Sequence, residues 1–327
     1  MVLSSRPATP SVGVVPDDRG MIAAGDSLRR IFGGHLPVVA VDLPDVVDWL
    51  NACGVAAMPL AEVMSISDGA VLAVNAGLGT VRLAKASQPG VRKLNLLQSF
   101  NSGDSAAVRY TIAQFLASDP LVSVQNQADV AAAIKSSGGR IAFVSPPPGS
   151  ATELNVQFRG PVGVSRLDDP IIKPGECLAA HHFFESGLSN LGTEEDSAFL
   201  VNGYCRASGM IASRHRELSA APEPAEWTRY RDEIAEGGVE LHIRDNQLVE
   251  CLLGGRDIKS DIARWTGSYG LGVTECAVGT NPDVLSGIDW SMNSLMNEGA
   301  QGVHIGFGLL DGMHFDFICP GVALVAG

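Results

Sequence analysis

Three consecutive prolines, Pro146-Pro147-Pro148, followed by Gly149, interrupt this chain near its middle. Proline lacks a backbone N–H and fixes φ, so no helix interior or central strand can run through them. They also divide two textures of hydrophobic patterning. Upstream, short apolar runs alternate with segments of helical period; downstream, polar and apolar residues alternate with the period of half-exposed strands. At 327 residues the chain exceeds the usual size of one core. The break therefore reads as a domain boundary: a tail over 1–20, an α/β domain over 21–149 and an α+β domain over 150–327.

In the upstream part, Pro37-Val-Val-Ala-Val-Asp42, Ala70-Val-Leu-Ala-Val74, Lys93-Leu-Asn-Leu-Leu-Gln98 and Arg140-Ile-Ala-Phe-Val144 read as buried strands. Pro44 opens a helix carrying Val46, Val47, Trp49 and Leu50, which stops at Gly54. Ser102-Gly-Asp104-Ser105 caps another that runs through Ala117, and a third covers Asp129 to Ser137. Strands alternating with helices predict a mainly parallel sheet. Asn75-Ala-Gly77-Leu-Gly79-Thr80 has two glycines of a phosphate loop but neither the third nor a Gly-Lys-Ser/Thr, so it reads as a tight turn.

Downstream, the segments Thr152–Phe158, Ser197–Gly203 and Val239–Val249 alternate as strands, the last folded at an Asp245-Asn246 hairpin turn. Arg214 to Glu236 is polar and reads as a helical or mobile insertion. Asp257 to Gly267 reads as an edge helix with Ile258, Ile262 and Trp265 on one side. A mainly antiparallel α+β arrangement is expected.

The formal net charge of −13, with no basic stripe, argues against nucleic acid or an anionic membrane surface as partner. No apolar stretch reaches the length of a membrane span. Cys53, Cys177, Cys205, Cys251, Cys276 and Cys319 are scattered in apolar settings without a Cys-x-x-Cys pair. They read as buried free thiols, and with no signal-peptide pattern in Met1–Gly20 a cytoplasmic location is expected.

Chemistry-bearing residues concentrate near the end. His314 and Asp316 are separated by one residue, so on a strand both project from the same face. With His304 they supply the two imidazoles and one carboxylate of a non-haem Fe(II) facial triad. The alternative is a pair of histidines near a C-terminal strand, each satisfied by a backbone carbonyl. Glu275 is embedded in an otherwise apolar strand, so it needs a cation, a donor or a proton, the Gly279-Thr280-Asn281-Pro282 turn being one source of donors. Pro174-Gly-Glu176-Cys-Leu-Ala-Ala-His181-His182 places an acid and two histidines around an apolar run, making Glu176, His181 and His182 pocket candidates. Adjacent histidines on a strand face opposite ways and cannot both serve one metal without a bend.

Taken in order, Pro174-Gly-Glu176, Glu275-x-x-x-Gly279-Thr280-Asn281-Pro282, Glu298, His304-Ile-Gly-Phe-Gly308 and His314-x-Asp316 resemble the motifs of the aminopeptidase T-like metallopeptidases and of the related dihydroxypyridine ring-cleaving dioxygenases. The peptidase resemblance implies two divalent metals, zinc or cobalt, on Glu275, Glu298, His304, His314 and Asp316. The dioxygenase resemblance implies one Fe(II) on His304, His314 and Asp316 and oxidative cleavage of an electron-rich ring. Either branch implies a homo-oligomer, such as a dimer, built through the second domain. Only nine residues separate His304 from His314, and eleven follow Asp316. Both are short for the family, which makes this a shortened, divergent member with a widened cleft. The expectation is a divergent Fe(II) oxygenase-like protein acting on an aromatic or peptide-like substrate. One alternative is a degenerate, metal-free peptide-binding protein serving peptide natural-product modification; a second is a dinuclear aminopeptidase.

Overall fold

The structure, a computed structural model, describes residues 25–76, 81–97, 104–146, 152–160, 163–189, 197–214, 225–309 and 312–326. The stretch 1–20 and the Gly77–Thr80 turn lie outside the described residues.

In chain order the first elements are α1 (Asp26–Ile31), β1 (Val38–Val41), α2 (Pro44–Ala52), β2 (Ala57–Pro59), β3 (Gly69–Asn75), α3 (Val81–Lys85), β4 (Val91–Leu97), α4 (Ser105–Ala117) and α5 (Pro120–Ser136). Next come β5 (Arg140–Val144), β6 (Glu153–Phe158), β7 (Cys177–Ala179), β8 (Glu185–Ser189), β9 (Phe199–Ala207), β10 (Gly209–Arg214), α6 (Ala225–Gly237), β11 (Val239–Arg244), β12 (Gln247–Leu253) and β13 (Arg256–Asp257). The last are α7 (Lys259–Trp265), β14 (Val273–Gly279), α8 (Leu295–Glu298), β15 (Gly302–Phe307), β16 (Met313–Pro320) and β17 (Ala323–Ala326).

These strands form three sheets. The first, in the order β2-β1-β3-β4-β7, is parallel throughout. The others, β10-β16-β15-β14-β8 and β13-β12-β11-β9-β6-β5-β17, are antiparallel. The mixed fold class thus matches the expectation, but sheet membership does not follow the triple proline. Arg140–Val144, read as a strand of the parallel sheet, pairs antiparallel with β6 and β17 instead. Its burial explains the difference: Ile141 and Phe143 are buried while their neighbours are not, as suits a sheet covered on one face. In the other direction, β7 returns from beyond the prolines to pair with β4.

Local chemistry accounts for the helix ends. Asp104 accepts from the N–H groups of Ala106 and Ala107 at the start of α4. Asp119 does the same for Leu121 and Val122, with Pro120 in the first turn where no N–H is required. That cap starts α5 well before Asp129. The polar stretch after Arg214 contains α6, whose Trp227 is fully buried against Phe315, ring centres 5.4 Å apart. Asp245 and Asn246 both have positive φ, 48° and 62°, as a tight two-residue hairpin turn between β11 and β12 requires.

The two antiparallel sheets face each other across one core that includes Leu154, Phe199, Ile305, Phe307, Phe315 and Phe317. The parallel sheet and its helices surround a second core, which reaches Phe184, Met296 and Ala300. Among the described residues no helix is long and apolar enough to cross a membrane.

Candidate metal centre

Alternation along β15 and β16 decides where the site lies. Val303, Ile305, Phe307, Phe315, Phe317 and Cys319 point into the core between the antiparallel sheets. His304, Gly306, His314 and Asp316 must therefore project from the opposite face. Register carries the face across the sheet: Gly306 lies opposite Asp316, Glu275 opposite Gly306, and Glu185 opposite Gly279. Ser213 on β10 lies opposite His314. A β-bulge between Val273 and Glu275 shifts the register of β14 just before the carboxylate. Glu298 arrives separately, as the last residue of the short helix α8, which Ser294 caps by accepting from Met296 N–H.

Gly306 makes the convergence possible. A Cβ there would lie 2.8 Å from Asp316 Oδ1, 2.8 Å from Glu275 Cβ and 2.8 Å from His314 Cε1. The space a side chain would fill belongs to the three neighbouring groups.

The acids and histidines fall into two sets whose donor atoms lie within 4.8 Å of one another: Glu275, His314 and Asp316, and Glu185, Glu298 and His304. In the first, His314 Nε2 is 3.4 Å from Glu275 Oε2 and 3.0 Å from Asp316 Oδ1. His314 Nδ1 is 2.8 Å from Gly308 O, so with the proton on Nδ1 it donates there and leaves Nε2 aimed into the site. In the second, His304 Nε2 is 4.0 Å from Glu185 Oε2 and 3.9 Å from Glu275 Oε1, too far to hydrogen-bond. The two oxygens of Glu275 are thus divided between the two imidazoles. Neither ring nitrogen of the fully buried His304 has a hydrogen-bond partner, and buried Asp316 Oδ1, though 3.0 Å from His314 Nε2, makes no hydrogen bond.

Charge in the cluster is strongly perturbed. Burial pushes His304 down, but Glu275, Asp316 and Glu185 outweigh it and hold the imidazole up at about 9. His314 is likewise held well above its ordinary value, with Asp316 and Glu275 overcoming burial. Burial also opposes ionisation of Glu275, yet His304 and His314 beside it hold it well below the usual range. Glu185 and Glu298 are driven well above that range, by burial first and then by neighbouring carboxylates, Glu298 beside Glu185 and Asp316 beside Glu298. Without a cation, protons must neutralise this many acids in one buried place; a divalent cation can replace them. Carboxylate and imidazole donors, with buried nitrogens and an oxygen lacking partners, fit such an ion.

The structure places the residues read from sequence as follows. His314 and Asp316 sit together with Glu275, while His304 sits with Glu298, so the three facial-triad residues are divided between the sets. Glu185 completes the second set and went unnoticed in the sequence; its signal was an acid three residues after His182 at the opening of a strand. His181 and His182 occupy a one-turn 3-10 helix, Ala180–Phe183, rather than a strand, with ring centres 4.1 Å apart. That turn lets both line the cleft over the cluster, a space of ≈ 360 Å³ shared with Ser165, Arg166 and Ser213. Glu176 accepts from Lys173 N–H at 2.8 Å and is not among the residues lining the cleft.

Among solved structures, wild-type AmpT from Thermus thermophilus is similar at 13% sequence identity and a TM-score of 0.45, over 89% of this chain and 90% of that one. A likeness of that size does not establish the resemblance to metallopeptidases or dioxygenases. No curated protein matches the chain. Residues 33–326, by contrast, match the family described as crocagin biosynthetic protein CgnE/B. A match over nearly the full length makes this chain a member of the CgnE/B family of crocagin biosynthetic proteins.

Proposed function

We propose that this protein serves peptide natural-product biosynthesis by holding a peptide-like substrate over a divalent cation bound by Glu275, His314 and Asp316. The carrying observation is the geometry of His314: Nδ1 is tied to Gly308 O while Nε2 faces two carboxylates, Glu275 at 3.4 Å and the buried Asp316 at 3.0 Å. A bound cation would supply Lewis-acid polarisation of a substrate carbonyl. The chain's own residues do the rest. Glu275 and Asp316 set the negative field of the cleft, and His181, which burial holds neutral at pH 7, offers an imidazole to a substrate N–H.

One observation favours a second cation. Glu275 directs Oε1 towards His304 and Oε2 towards His314, as a carboxylate shared by two ions would, with Glu185, Glu298 and His304 forming the other half. An Fe(II) facial triad of His304, His314 and Asp316 is less well matched, because Glu275 rather than His304 falls in one set with the other two. A metal-free, peptide-binding role in the same biosynthesis is the remaining reading.

Calorimetric titration of chelator-stripped protein with zinc, cobalt, manganese and, anaerobically, ferrous ion tests the proposal. One tight equivalent, lost in Glu275→Gln, is expected. Absence of any binding beyond that of the Glu275→Gln variant would overturn the cation and leave the metal-free reading.

A further inference from the structure

Beside the cleft lies a larger groove of ≈ 630 Å³, floored by Ala128, Ala131 and Ala132 of α5 and walled by Phe158 and Val164. Small side chains on this stretch of α5 create the depression, since any longer residue at these positions would fill it. The groove and the cleft meet at Arg166, which lines both. That meeting point is fixed from two sides. Ser165 donates its N–H to Gly187 O at 3.1 Å and accepts Gly187 N–H on Oγ at 2.9 Å, which latches it to β8. Leu167 donates its N–H to Gln127 Oε1 at 2.9 Å, which latches it to α5.

Charge in the groove opposes that of the chain. The protein carries a net −13, yet the only charged residues described in the groove lining are Lys135 and Arg166. Lys135 is exposed and has no ion-pair partner among the described residues. Arg166 pairs with Asp168 through Nη2 at 2.8 Å, and a guanidinium has further donors. No carboxylate is among the described lining residues.

We propose that this groove binds the acidic flank of the same peptide that enters the cleft, with small apolar side chains on the alanine floor and a carboxylate between Lys135 and Arg166. The inference rests on the reading that the cleft takes a peptide, and it adds that substrate's polarity: reacting residues over the acid–histidine cluster, carboxylate-bearing residues over α5. Repulsion from the acidic cleft, set against attraction to Arg166 at the junction and to Lys135 within the groove, fixes the direction in which the peptide lies.

The test is fluorescence anisotropy on the full chain with two labelled hexapeptides of alanine and valine. One ends in two aspartates with a free carboxylate; the other ends in two asparagines and an amide. The acidic probe should bind about tenfold more tightly, as one charge-assisted contact implies, and its affinity should fall as salt rises. Lys135→Glu should remove that preference, and Ala132→Trp, filling the exposed floor, should weaken both probes. Thermal melting of each variant checks the fold, and cation titration should be the same in both variants as in the parent. Equal affinity for the two probes, binding of neither, or indifference to both variants would overturn the groove while leaving cation binding in the cleft to stand. Failure of the cleft to take a cation, with the acidic probe still sensitive to Lys135→Glu, would instead overturn the reading of the cleft alone.

Discussion

His304 and His314 project from the same face of one β-hairpin, yet the protein holds them differently. His314 is braced: Gly308 O takes its Nδ1, and two carboxylates stand within 3.4 Å of its Nε2. His304 is deeper, fully buried, and touches no hydrogen-bond partner with either nitrogen. A ligand whose far nitrogen is fixed has its ring orientation set before the ion arrives, whereas an unbraced imidazole must be ordered by the ion itself. On the proposed reading of the cleft, the braced donor set is prepared for a cation and the other is only permissive.

The largest expected effect breaks that comparison directly. His314→Ala should abolish the tight step of cation binding. His304→Ala should leave that step and remove only a weaker second equivalent, if one is seen. Isothermal titration of both variants against the same ion reads the contrast, and an equal loss in the two would show that the brace at Gly308 confers no advantage.

A smaller effect comes from the glycines beneath the sets. At Gly306 an added methyl would meet Asp316, Glu275 and His314 at 2.8 Å each, so Gly306→Ala should cost about 3 kcal/mol by overpacking and also displace the braced ligands. At Gly187 the nearest atoms are Ser165 Oγ at 3.2 Å and Glu275 Oε1 at 3.3 Å, both on side chains that can shift. Gly187→Ala should cost about 1 kcal/mol, within the same overpacking range, and disturb cation binding less than Gly306→Ala, since it touches only Glu275 of the braced set. Urea unfolding of the two variants measures the gap, and equal destabilisation would mean that the braced set is no more tightly packed than its surroundings.

How much of this was legible in the sequence follows from the same geometry. His314-x-Asp316 was readable because a strand's period of two is local, and alternation with Phe315 and Phe317 fixes which face each residue takes. Glu275 was readable because a lone acid in an apolar strand demands a partner. The grouping was not, since it depends on register between β14, β15 and β16 and on a bulge that no local pattern announces. Glu185 was missed for a related reason: only pairing of β8 with β14 brings it to the site, from a position far away in the chain. Likewise, Arg140–Val144 has the composition of a buried strand, and its place in the antiparallel sheet is decided by two partners that both lie beyond the triple proline.

The histidines above the cluster supply the last and smallest contrast. His304 and His314 are held charged by the acids around them, whereas burial, then neighbouring His182, push His181 down to about 4, with Glu275 opposing only in part. Between that value and the ordinary 6.5, an unfolded chain binds a proton on His181 that the folded chain does not. Stability from this residue is therefore present above pH 6.5 and is lost as pH falls towards 4. The shift converts to about 3 kcal/mol at most, and partial exposure reduces the expected share to about 1–2 kcal/mol. Urea midpoints of the parent and of His181→Gln at pH 7 and pH 5 isolate that share, because every other titrating group is common to both. The parent should lose more stability between the two values than the variant does. Parallel losses would mean that His181 titrates normally, and the cleft would then present cationic imidazoles to its substrate on both sides under mildly acidic conditions.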